Sequence, residues 1–182
     1  RPIEGSQTLH SELCASCHTL YTPYVDENGE IAGTFPEQVP YLEWQHSDYR
    51  DTQACQGCHM PAAEGAVRLA TVGGGPPRSP FAQHLFIGGN AYVLKMLWSL
   101  GDELNATASA EHFSHKIEQT LAQLETRSAS VTIGKMMRSN ANLSFAVTVH
   151  NQAGHKMPTG FPSRRAWLHV SVVDGEGNVI FE

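Results

Sequence analysis

Cys14-Ala15-Ser16-Cys17-His18 and Cys55-Gln56-Gly57-Cys58-His59 decide how this sequence is read. The two stretches use all four cysteines of the chain, and a histidine follows each pair at once. With ten histidines in 182 residues, two such placements by chance come to roughly one in three hundred. A redox dithiol explains one pair and not two. A four-cysteine zinc site explains both pairs but leaves both histidines idle. C-x-x-C-H is the signature of c-type haem attachment. Two thiols bond to the porphyrin vinyl groups and the adjacent imidazole becomes the proximal iron ligand. The expectation is two haem c groups, with thioethers at Cys14, Cys17, Cys55 and Cys58 and iron ligands at His18 and His59. Such attachment takes place outside the cytoplasm, which predicts a periplasmic or extracellular protein.

Outward from these motifs the chain changes character twice. Between them lie the turn Asp26-Glu27-Asn28-Gly29 and a Pro36–Pro40 stretch that resists long helix. After Pro61 the sequence is loose around Gly73-Gly74-Gly75-Pro76-Pro77, a linker or a loop over a cofactor. Asn90 then caps a predicted helix from Ala91 to Leu100, with Val93, Leu94, Leu97 and Trp98 facing inward. Ser109 caps another to about Thr126, striped by Phe113, Ile117, Leu121 and Leu124. From Ala129 the period becomes two: Leu143, Phe145, Val147 and Val149 alternate with polar neighbours, as do Ala166, Leu168, Val170 and Val172. The fold class expected is α+β. Residues 1–127 form a dihaem segment, mostly irregular and helical with a helical hairpin. Residues 128–182 form a small antiparallel sheet, part of a sandwich. Val179-Ile180-Phe181-Glu182 reads as a strand cut short, so the chain is expected to belong to something longer.

Composition narrows the function. Apolar residues make up 41% and charged residues 16%, with a net charge of −6, which is ordinary for a globular protein and wrong for a nucleic-acid binder. No stretch approaches the roughly 18–20 apolar residues of a membrane span.

Each iron needs a sixth ligand or deliberately lacks one, and eight histidines lie outside the motifs. His155 sits in Gly154-His155-Lys156-Met157-Pro158-Thr159-Gly160, a long interstrand loop whose glycines and Pro158 fix the backbone. His84 lies among Phe81, Leu85 and Phe86, an apolar setting suited to a porphyrin face. His10, four residues before Cys14, shares a helical face with that motif if helical. These three are the candidate distal ligands. His46 stays open, while His112, His115, His150 and His169 read as surface residues. Met60 follows a proximal histidine directly and cannot reach the far side of the same ring.

The stretch Cys14–Pro61, with Cys-His-Thr-Leu-Tyr, Pro40-Tyr41-Leu42-Glu43-Trp44 and Cys-His-Met-Pro, resembles multihaem c-type cytochromes. The nearest group is the superfamily of hydroxylamine oxidoreductase and its tetrahaem electron acceptor. His84-Leu85-Phe86-Ile87-Gly88-Gly89-Asn90 and Asn151–Gly160 resemble segments of large bacterial proteins of this kind. The resemblance implies closely stacked, bis-histidinyl haems, and favours His84 and His155 as distal ligands with His10 third. Relatives often carry Glu-Trp-x-x-Ser-x-His, whose histidine is a ligand; Tyr49 stands at that place here. The expected function is electron transfer, with redox proteins or other multihaem subunits as partners. The alternatives are an oxidoreductase with one open iron acting on a small nitrogen or peroxide substrate, and a self-assembling subunit of a haem-loaded extracellular filament.

Overall fold

The structure, a computed structural model, describes residues 5–140, 142–159 and 164–182. It is an α+β arrangement of short helices and two-stranded antiparallel ladders. A 3-10 turn (Ser6–Leu9) leads into helix α1 (Glu12–Ala15), then strands β1 (Leu20–Val25) and β2 (Ile31–Gln38). Helix α2 (Pro40–Gln45) and helix α3 (Cys55–His59) complete the first third.

The β1–β2 hairpin was not legible in the sequence. Pro23 and Pro36 interrupt it, and proline normally argues against a strand. In a two-stranded ribbon, however, each strand is an edge and tolerates a missing donor. The tip does follow the expected turn. Asp26 Oδ1 accepts the N–H groups of Asn28 at 2.8 Å and Glu30 at 3.0 Å, and Gly29 takes the left-handed φ of 84° that the turn needs.

Helix α4 (Ala91–Ser99) and helix α5 (Ala110–Arg127) form the expected hairpin. Both caps are made as read: Asn90 Oδ1 accepts from Val93 N–H at 3.0 Å, and Ser109 Oγ from His112 N–H at 3.3 Å. The buried face is narrower than the stripe implied. Ala91, Phe113 and Ile117 are buried with Ile87 from the preceding loop. Val93 and Trp98 on α4, and Leu121 and Leu124 on α5, stay exposed. Thr120 takes the buried place instead, its hydroxyl donating to the Lys116 carbonyl at 2.9 Å.

The β half departs from a single sheet. Strand β3 (Ala129–Ile133) pairs with β6 (Val147–Asn151), β4 (Met137–Ser139) with β5 (Asn142–Ser144), and β7 (Val172–Val173) with β8 (Val179–Phe181). The run from Leu143 to Val149 is therefore split between β5 and β6, and residues 166–171 are not strand at all. Alternation signals a half-buried face, but a strand forms only where a partner supplies the ladder. An open apolar groove of about 570 Å³ lies between β3/β6 and the 168–173 segment, lined by Val131, Ile133, Phe145, Val147 and Val172.

The polypeptide by itself is thinly packed. Its accessible surface is 14341 Å², against about 8,700 Å² for a compact monomer of this mass. Tyr21, Tyr24, Val25, Ile31 and Phe35 all stand exposed on the first hairpin, and Leu9 and Leu13 beside the first cysteine pair. The small helical core should consequently carry much of the chain's own stability. Ile117→Ala, at a site 6% exposed, is expected to lower unfolding free energy in urea by about 2–4 kcal/mol. Leu121→Ala, on an exposed turn of the same helix, should cost less than about 1 kcal/mol.

Candidate functional site

The first cysteine motif begins on one short helix, the second forms another, and side-chain hydrogen bonds join the two segments. Cys14 is on α1, and the chain turns on through Cys17 N–H to Cys14 O (3.2 Å) and His18 N–H to Cys14 O (2.9 Å). The second motif is α3 itself. Ser11, 1% exposed, accepts the Cys55 N–H on its hydroxyl at 3.1 Å. Gln56 Nε2 donates to the carbonyls of Thr8 (3.1 Å) and His10 (2.8 Å). These contacts bring the first cysteine of each motif together: burial pushes the Cys14 thiol pKa up, and the neighbouring Cys55 adds to it. All four cysteines are free thiols.

His59 is fixed by the helical hairpin. Its N–H-bearing Nδ1 donates to the Ile87 carbonyl, and its own carbonyl accepts the Ile87 N–H at 2.9 Å. Ile87 belongs to the core formed with Ala91, Phe113 and Ile117. Lys116 on α5 donates to the Leu85 carbonyl just upstream, and burial lowers its pKa. Among the described residues, the buried patch of the helical hairpin thus stands behind one motif histidine.

His155 arrives on the loop after β6. Asn151 Oδ1 accepts the Ala153 N–H at 2.9 Å, and its Nδ2 donates to the His155 carbonyl at 2.7 Å. Gly154 turns the chain with a φ of 70°, and a Cβ there would lie 3.4 Å from the Tyr49 ring. Glu43 on α2 accepts from the Lys156 N–H at 3.0 Å and from the Thr159 hydroxyl. His155 Nδ1 donates to the Lys156 carbonyl at 3.0 Å. Burial lowers the imidazole's pKa, with His59 and Arg164 acting in the same direction and the Lys156 carbonyl and Glu43 opposing.

The rings of His59 and His155 lie with centroids 6.3 Å apart and planes 14° from parallel. A carbonyl only accepts, so each Nδ1 carries the proton and each Nε2 keeps its lone pair. Metal–imidazole bonds of about 2.0 Å, plus about 1.1 Å from each nitrogen to its ring centre, put two trans imidazoles about 6.2 Å apart. Both rings also have the backbone-carbonyl partner on the second nitrogen that ligating histidines usually have. The residues present fit an iron porphyrin: Cys55 and Cys58 would supply its thiols, and His59 and His155 would offer it imidazoles. Among the described residues no group of three or more His, Cys, Asp or Glu converges on a single point.

The other candidates are not gathered in this way. His18 is exposed, and its carbonyl accepts the Tyr41 N–H at 3.3 Å. His84 is exposed, edge-on to Phe86 at 5.9 Å. His10 is exposed, and its carbonyl rather than its ring takes part, through Gln56. His46 is exposed with Nδ1 on the Leu42 carbonyl at 2.8 Å. His112, His115 and His150 are surface residues as read, and His169 pairs with Glu182 at 3.0 Å on the surface. Gly160 of the His155 loop lies outside the described residues. Ser11, Glu43, Gln56 and Ile87 were missed by sequence reasoning. All four act on or through backbone groups, which leave no mark on residue spacing. Comparison with protein-family models, with curated proteins and with solved structures finds no match.

The docking of the two motifs is open to a direct test. Ser11→Ala leaves the Cys55 N–H without its acceptor and should cost about 1–3 kcal/mol. Amide hydrogen exchange at Cys55 should accelerate by about tenfold or more, while exchange along α5 stays at the wild-type rate.

Proposed function

We propose that this protein transfers electrons through two covalently attached c-type haems. The observation that carries the reading is the His59–His155 pair, whose spacing, near-parallel planes and free Nε2 atoms suit two ligands of one iron. Bound haem would supply a one-electron Fe(III)/Fe(II) couple, tuned by ligand identity, burial and nearby hydrogen bonds. The chain's own residues supply the rest. Cys14, Cys17, Cys55 and Cys58 offer the four thiols, and His18 and His59 the proximal imidazoles.

Two further observations support this reading. Ser11 and Gln56 bring the attachment segments into contact, as exchange of electrons between two cofactors requires. The exposed apolar side chains around them are surface that two porphyrins would cover, which accounts for a thin polypeptide core. An enzyme with an open iron is the weaker reading. It draws on Tyr49 standing in a ligand's place, and Tyr49 is engaged as packing beneath Gly154. Electron transfer also implies redox partners and a compartment where thioethers form, outside the cytoplasm. No described helix is long and apolar enough to cross a membrane.

Intact-mass measurement with visible spectroscopy tests the proposal. Protein made in cells able to attach haem c should exceed its polypeptide mass by two haems and stay coloured after acid–acetone extraction. The oxidised spectrum should show low-spin iron. A colourless protein of bare polypeptide mass would refute the reading.

A further inference from the structure

Among the described residues, few contacts tie the His155 loop to the half of the chain that holds His59. Asn151 and Gly154 shape the loop internally. The crossing contacts at that point are the Tyr49 ring under Gly154 and the Glu43 carboxylate, which takes the Lys156 N–H and the Thr159 hydroxyl. Hydrogen bonds to an ionised acceptor are about twice as strong as neutral ones, so this carboxylate outweighs ring packing against a glycine.

Glu43 is also well placed to set a position. Helix α2 begins with Pro40, whose fixed φ suits a first helical turn. The Tyr41 N–H reaches the His18 carbonyl at 3.3 Å, and Trp44 Nε1 donates to the Gln53 carbonyl at 2.9 Å, two residues before Cys55. One short helix thus touches the first motif, the approach to the second, and the loop bearing His155. Among the described residues the only ion pair is His169–Glu182, so Glu43 serves the loop and no surface cation.

Resting on the ligand reading above, we propose that Glu43 is a positioning residue: a latch whose two hydrogen bonds hold the His155 imidazole at its working distance from His59. It touches neither ring. Releasing it would free the loop to swing on Asn151, and His155 would leave its place near His59 part of the time. Its action is on the occupancy of one coordination site and not on haem attachment.

The test uses haem-loaded protein, with carbon monoxide binding after reduction and the spin state of the oxidised form as readouts. His155→Ala should give one high-spin haem per chain beyond wild type and fast carbon monoxide binding there. Glu43→Ala should keep both haems and the far-ultraviolet dichroism of wild type. It should speed carbon monoxide binding at that haem about tenfold or more, the loss expected for two charge-assisted hydrogen bonds. Glu43→Gln keeps an acceptor for the Lys156 N–H and should fall between, as should Thr159→Val, which removes one bond. These milder variants carry the test if Glu43→Ala does not accumulate. Wild-type binding rates in the Glu43 and Thr159 variants, with His155→Ala opened, would overturn the latch and leave the ligand reading standing. A His155→Ala protein that behaves as wild type would overturn both.

Discussion

The two halves of this chain meet at the imidazoles of His59 and His155, whose ring centroids lie 6.3 Å apart. Each presents an Nε2 lone pair because its Nδ1 proton is committed to a backbone carbonyl, Ile87 for one and Lys156 for the other. Neutral imidazoles 6.3 Å apart have little attraction of their own. Burial also lowers the His155 pKa, which keeps its lone pair free rather than forming a cation that would repel a metal.

The rest of the structure can be read as support for that pair. The helical hairpin packs its few buried side chains behind Ile87, and so fixes His59 from one side. Helix α2 and the Asn151 turn fix His155 from the other. The first motif is locked to the second through Ser11 and Gln56. What is missing from such a scheme is an apolar interior, and the exposed Tyr21, Tyr24 and Phe35 show how far the polypeptide is from building one alone. A small domain that cannot bury enough of its own surface usually depends on a metal, a disulfide or a cofactor. On the reading proposed above, the four free thiols and their neighbouring histidines would hold the last of these.

Much of this was legible in the sequence, for reasons that differ by element. Caps at Asn90 and Ser109 are local chemistry, and both formed as read. The turn at Asp26–Gly29 is equally local. Periodicity succeeded for Phe113 and Ile117 and overreached at Leu121, Leu124, Val93 and Trp98, because a stripe reports what can be buried and not what partner exists. The same limit broke the expected sheet into separate ladders, since Ala166–Val170 alternate without a neighbouring strand to pair with. The α+β class and the antiparallel pairing stand; the sandwich does not appear among the described residues.

At the site, the cysteine spacing singled out two motifs and loop glycines singled out His155. The spacing carried no trace of Ile87, Ser11 or Glu43, whose roles depend on chain segments far apart meeting in space. Iron-edge anomalous scattering from crystals of the purified protein addresses the central claim most directly. Two iron peaks are predicted, one of them midway between the Nε2 atoms of His59 and His155. A zinc signal among the cysteines, or no metal between those two imidazoles, would contradict the account.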